Sequence, residues 1–97
     1  MPAYINLFKF TQQGIADVKG SPDRVKAVKA ATEKMGGRTI GVWWTLGEYD
    51  LVAVSEAPDD QTAALMALVI GMQGNVTTQT LKAFSEEGFA QIVAKLP

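Results

Sequence analysis

Two strand-like runs, Ile40-Gly41-Val42-Trp43-Trp44-Thr45-Leu46 and Leu51-Val52-Ala53-Val54, stand on either side of one short polar stretch, Gly47-Glu48-Tyr49-Asp50. β-branched and aromatic residues favour strands, and a glycine between two such runs marks a hairpin. Neither run offers a wholly polar side to solvent. In the first, Ile40, Val42, Trp44 and Leu46 alternate with Thr39, Gly41, Trp43 and Thr45; in the second, Val52 and Val54 alternate with Tyr49, Leu51 and Ala53. A sheet built on this hairpin needs cover on both faces, because monomers rarely leave contiguous apolar patches larger than a few hundred Å².

The rest of the chain supplies cover for one face. Ala3 to Phe10 alternates as a strand, with Tyr4, Asn6, Phe8 and Phe10 on one side and Ile5, Leu7 and Lys9 on the other. Thr11 is placed to cap a helical turn over Gln12 to Val18. Ser21-Pro22-Asp23 then reads as a second helix start, with Ser21 at the N-cap and the helix running to Met35 before Gly36-Gly37. Arg38 to Leu46 and Tyr49 to Glu56 are the hairpin strands. Asp59 or Asp60 caps a helix over Gln61 to Gln73 that is apolar almost all round, and such helices are buried on every side. Val76 to Phe84 is a fourth strand, and Ser85-Glu86-Glu87 opens a last helix reaching about Lys95.

The order βαββαβα in 97 residues predicts one α+β domain: a ferredoxin-like sandwich with a four-stranded antiparallel sheet, the first and third strands central and two helices on one face. The other face is left bare, and face-to-face packing of two sheets into a dimeric α/β barrel covers it. A homo-oligomer is therefore expected, and 47% hydrophobic residues in so short a chain agree with it.

Composition narrows the chemistry. There is no cysteine and no histidine, so thiolate nucleophiles, Ser-His and Cys-His schemes, sulfur metal sites and histidine-ligated haem are all excluded within the chain. Neither the acidic pairs Asp59-Asp60 and Glu86-Glu87 nor the remaining carboxylates have calcium-loop spacing, and no phosphate-loop lysine follows Gly74. No metal and no cofactor is expected. A net charge of −1 and the lack of a basic stripe with interleaved aromatics speak against nucleic acid. Met1-Pro2-Ala3-Tyr4 passes directly into a strand pattern, and the apolar run Ala63 to Met72 is about half of the roughly 20 residues a membrane span requires. A cytoplasmic protein without a membrane partner is expected.

Several stretches together resemble the GYD-domain proteins, small bacterial and archaeal proteins named for a Gly-x-Tyr-Asp segment. They are Tyr4-Ile5-Asn6-Leu7, Phe10-Thr11-Gln12-Gln13-Gly14-Ile15, Ser21-Pro22-Asp23-Arg24, Thr45-Leu46-Gly47-Glu48-Tyr49-Asp50, Glu56-Ala57-Pro58-Asp59-Asp60 and Gly74-Asn75-Val76-Thr77-Thr78-Gln79-Thr80-Leu81. The resemblance runs through nearly the whole chain in order. It implies a ferredoxin-like domain of the dimeric α/β barrel type and no particular activity.

Seven residues are candidates for binding a ligand. Tyr49 and Asp50 bring a hydroxyl and a carboxylate to the hairpin, yet neighbouring strand residues face opposite sides of a sheet. Their structural reading is an Asp carboxylate accepting backbone N–H bonds and a Tyr packed with its hydroxyl tied down. Trp43 and Trp44 read as core and interface anchors or, with Tyr4 and Asn6, as a wall for a flat aromatic molecule. Asn6, polar on a central strand, needs partners and reads as a satisfied amide or a ligand-orienting one. Arg24 lies in a basic helix start and reads as a solvated cation or an anion contact. Two functions stand beside each other: a non-catalytic oligomeric module binding a small molecule or a protein, and a cofactor-independent, monooxygenase-like enzyme acting on a small aromatic substrate between sheets.

Overall fold

The computed structural model describes all 97 residues. Along the chain it has β1 (Ala3–Phe10), α1 (Gln12–Ala16), a 3-10 turn (Val18–Gly20), α2 (Ser21–Lys34), β2 (Arg38–Trp44), β3 (Leu51–Glu56), α3 (Asp60–Met72), β4 (Val76–Ala83) and α4 (Glu86–Val93). The strands form a single antiparallel sheet in the order β2-β3-β1-β4. β1 and β3 are central, as the element order predicts, and the arrangement is ferredoxin-like.

Local signals account for most of the element ends. Thr11 accepts the Gly14 N–H at 3.1 Å to start α1, Asp59 accepts the Thr62 N–H at 2.8 Å to start α3, and Ser85 accepts the Gly88 N–H at 3.0 Å to start α4. Gly36 and Gly74 take positive φ values of 85° and 82° where α2 and α3 end. Ser21 departs from its expected role. α2 begins at Ser21 itself with Gly20 at the cap, and the Ser21 hydroxyl instead accepts the Trp44 indole N–H at 3.0 Å. Trp44 is 48% exposed, and its indole N–H, turned toward α2, finds its acceptor in this serine.

The hairpin is also looser than a tight turn. β2 stops at Trp44 and β3 starts at Leu51, so Thr45 to Asp50 form a six-residue loop and Tyr49 lies off the strand. The loop is closed by the Thr45 N–H donating to the Asp50 carbonyl at 2.9 Å, and Gly47 supplies a φ of 117° that side chains rarely adopt. Leu46 is fully exposed in this loop rather than part of the sheet.

β2 carries a bulge. Thr39 pairs with Ser55, but the next partner of β3, Val54, pairs with Gly41, which leaves one extra residue in β2. Simple alternation groups Thr39 with Gly41 and Trp43. The bulge moves Thr39 to the opposite side, where it joins Val42 beneath the helices.

α2 packs over β2 and α3 over β4, leaving the middle of the sheet as the floor of a cleft between the two helices. Burial is sparse: 7 of 97 residues are buried, and the apolar ones are Tyr4, Leu51, Ala53 and Ala57. α4 makes no substantial packing contact with any other element. The molecule is accordingly drawn out, 52 Å by 31 Å by 18 Å, with a radius of gyration of 14.6 Å, against about 12.5 Å for a compact chain of this length.

Candidate binding site

Six of the seven candidates divide between the two sides of the sheet, and Asp50 lies at neither. On the helix side, the cleft of about 110 Å³ has Asn6, Phe8 and Ala53 in its floor, Val28 of α2 on one wall and Met66 and Ala67 of α3 on the other. Asn6 is held at both ends of its amide: its N–H donates to the Ser55 hydroxyl at 2.9 Å, and its carbonyl accepts from the Thr80 hydroxyl at 3.2 Å. The bonds tie β1 to both neighbours and fix the amide's orientation.

Tyr4 lies at one end of this cleft and is buried. Its hydroxyl donates to Asp60 Oδ1 at 2.6 Å, and the Lys82 ammonium reaches the same carboxylate at 3.0 Å. The clamp joins β1, α3 and β4. The hydrogen bond to Asp60, with burial behind it, raises the phenol pKa to about 12. The bond from Tyr4, then that from Lys82, lowers the Asp60 carboxyl below its usual value. The signs define a window. A raised phenol pKa stabilises the fold below the unfolded tyrosine value near 10 and is lost as pH rises toward the folded value. A lowered carboxyl pKa stabilises it above the unfolded aspartate value near 3.9 and is lost as pH falls below that. The clamp is therefore intact at neutral pH. In an absorbance titration of the two tyrosines, one phenol is expected to ionise near 12, and Asp60→Asn should bring that transition down; identical midpoints in both proteins would dissolve the clamp.

At the other end of the cleft, Trp44 bonds Ser21 and Arg24 staples α1 to α2. The Arg24 guanidinium donates to the Asp17 carbonyl at 2.9 Å and lies 3.2 Å from the Asp17 carboxylate. Arg24 also lines the cleft, as does Lys29.

The opposite face carries Ile5, Leu7, Trp43, Val52, Val54 and Leu81 with no element over them. Trp43 lies across Gly41, where a Cβ would meet the indole at 2.6 Å, so the glycine is what lets the ring lie flat. Trp43 is 54% exposed. Tyr49 sits at one end of this face over a hollow of about 210 Å³ lined also by Leu7, Lys9 and Gln79. Its hydroxyl donates to Gln79 Oε1 at 2.8 Å, and the Lys9 ammonium stands 5.2 Å from its ring.

Asp50 belongs to neither face. Its N–H donates to the Phe8 carbonyl at 2.8 Å, and its carboxylate accepts the Phe10 N–H at 2.8 Å. Backbone and side chain together lock the hairpin loop onto β1. Asp50→Ala leaves the Phe10 N–H without its partner and should cost about 1–2 kcal/mol, read as a lower urea midpoint; an unchanged midpoint would show that water replaces the carboxylate.

Of the candidates, Asn6 and Arg24 line the cleft, Tyr4 and Trp44 lie beyond its two ends on the same side of the sheet, and Trp43 and Tyr49 are on the far side. The sequence reading missed the Tyr4–Asp60–Lys82 clamp, because Asp60 reads equally well as a first-turn helix acid. It also missed the seam between α1 and the α3–β4 turn, for which Gly14 inside a short helix was the available signal. No group of three acidic side chains is placed to hold a metal ion, and no helix is long and apolar enough to cross a membrane. What both surfaces offer is apolar area with fixed hydrogen-bonding groups at the margins.

Comparison with known proteins agrees with this picture. The chain is 35% identical over 97 residues, covering 99% of each chain, to a protein of Thermus thermophilus named glutamine synthetase and cystathionine beta-lyase binding protein. No solved structure matches it significantly. The family model described as the GYD domain matches residues 4–93, and with these two findings the chain belongs to the GYD domain family.

Proposed function

We propose that this chain is a non-catalytic binding module that pairs with a second copy through its open sheet face and engages a protein partner. One observation carries the reading. A compact protein of 10.4 kDa exposes about 5,400 Å², whereas this chain exposes 6591 Å². The excess, on the order of 1,200 Å², exceeds the roughly 800 Å² that each partner buries in a standard interface. Ile5, Leu7, Trp43, Val52, Val54 and Leu81 form the surface that two sheets stacked about 10 Å apart would share. The kinship to a protein named for binding two enzymes supports the second half, and glutamine synthetase and cystathionine beta-lyase are the partners to try first.

Sedimentation velocity at micromolar concentration should give at least twice the 10.4 kDa chain mass, and biolayer interferometry should give saturable binding to one of the two enzymes. A monomer that binds neither enzyme overturns the reading. Trp43 and Tyr49 share the open face with the hollow of about 210 Å³, which keeps a second reading in play: two such hollows facing each other reach the roughly 300 Å³ of a small-molecule site. A small aromatic ligand or substrate held there would raise the melting temperature, and Trp43→Ala would abolish the rise.

A further inference from the structure

α4 and the cleft are each incomplete within one chain. In α4 and just beyond it, Phe89, Ile92, Val93 and Leu96 recur at helical spacing and are 58%, 42%, 44% and 67% exposed. That is the i, i+3, i+4, i+7 pattern of a helix that docks into a groove. The cleft between α2 and α3 is such a groove, with Val28, Met66 and Ala67 in its walls and Phe8 and Ala53 beside Asn6 in its floor. We infer that α4 of one copy lies in the α2–α3 cleft of another, an assembly contact separate from the open sheet face.

Charge fixes the direction. The α2 wall of the cleft carries Arg24 near its start and Lys29 one turn further on; the α3 wall is uncharged from Gln61 to Met72, with Asp59 and Asp60 at its start. At about 100° per residue, Glu86 lies about 70° to one side of the axis of the α4 apolar stripe, and Lys95 about 110° to the other. The right-handed crossover from β1 through α2 to β2 sets which helix is on which side. With its stripe on the floor and Ser85 at the Arg24 end, α4 turns Glu86 toward Arg24 and Lys29 and brings Lys95 to the acidic start of α3. Reversed, it sets Glu86 against the α3 wall and leaves Lys29 unanswered, Arg24 being already paired with Asp17.

The same direction requires a second copy. Ala83, the last residue of β4, pairs with Ala3, at the Tyr4 end of the cleft. The cleft runs from there to Phe10, about 20 Å away along β1. Phe84 and Ser85 span about 7 Å, so a chain's own α4 cannot begin at the Arg24 end. α4 must come from elsewhere, and an identical chain is the one partner always present in equal number.

The absence of cysteine makes the test direct. Ile92→Cys and Ala67→Cys, each in the full chain and checked by circular dichroism, are mixed and oxidised. The expected result is a covalent pair of the two variants. Gln91→Cys, on the far side of α4, should give at least tenfold less with Ala67→Cys. Glu86→Lys in the Ile92→Cys chain should lower the initial rate of disulfide formation about fivefold, the most an exposed ion pair is worth, and Lys29→Glu in the other chain should restore it. Equal yields from Gln91→Cys and Ile92→Cys would mean random collision and overturn the inference. So would no disulfide at all or, when Ile92→Cys and Ala67→Cys are placed together in one chain, a disulfide within that chain rather than between chains. The readout is distinct from open-face pairing, since a charge placed at Val52 breaks that pairing and leaves this disulfide in place.

Discussion

Val52→Lys is expected to abolish pairing through the open face while leaving the chain folded. Val52 is the middle residue of that face, opposite Leu7 on β1 and Trp43 on β2. In a single chain the lysine extends into water and disturbs nothing beneath the helices. Between two stacked sheets its ammonium has no partner, and an unpaired buried charge costs about 3–5 kcal/mol, a weakening of roughly a hundredfold to a few thousandfold. Sedimentation should show the loss at concentrations where the wild type is fully paired, with an unchanged circular dichroism spectrum. Leu68→Lys, on the outer side of α3 and already 65% exposed, should leave pairing within about twofold. If both substitutions act alike, the open face is not the contact.

Gly14→Ala is expected to be the most damaging small substitution in the chain. A Cβ at position 14 would stand 1.9 Å from the Asn75 carbonyl oxygen, and the obstacle is backbone, which cannot swing aside. The close approach exists because α1 is sewn to the α3–β4 turn. The Thr11 N–H donates to the Asn75 carbonyl at 3.0 Å, the Thr11 hydroxyl to the Gly74 carbonyl, and the Gln13 amide to the Gln73 carbonyl and Asn75 side chain at 3.0 Å each. A methyl group must part the seam and strain or break these bonds together. A cost of about 2–4 kcal/mol follows, a large share of the roughly 5–15 kcal/mol that holds a domain folded. Gly71→Ala is the opposite case. It sits in α3 with open space around it, and the better helix former should add about 0.5–1 kcal/mol. Urea midpoints moving in opposite directions would establish that the first effect is steric contact rather than the loss of glycine.

Where the sequence was legible, two kinds of signal did the work. Period-two alternation in Ala3–Phe10 and the threonine-rich β4, set against the cap and glycine signals that bound α2 and α3, gave the element order and with it the central position of β1 and β3. Alternation also separated Trp43 from Trp44, while Tyr49 and Asp50 part company in the loop, outside any strand. It failed at Thr39, because a bulge adds a residue without changing the residue types, and Thr39-Ile40-Gly41 alternates as smoothly as an unbroken strand. It failed at Ser21, whose capping chemistry is the same whether its partner is a backbone N–H or the Trp44 indole 23 positions later. Tyr4 and Asp60, 56 positions apart, could not be joined before the fold was known.

The bulge has a consequence for aggregation. β2 lies at the rim of the sheet, with one side of its backbone unpaired. A flat rim strand is a template on which another chain can add strand to strand, the first step toward a fibre. The extra residue between Thr39 and Gly41 breaks the regular spacing of that rim and increases its twist. On that side the chain is thereby a poorer template for strand addition, whereas β4, the opposite rim, runs in unbroken register from Val76 to Ala83 and is the side on which such growth would start.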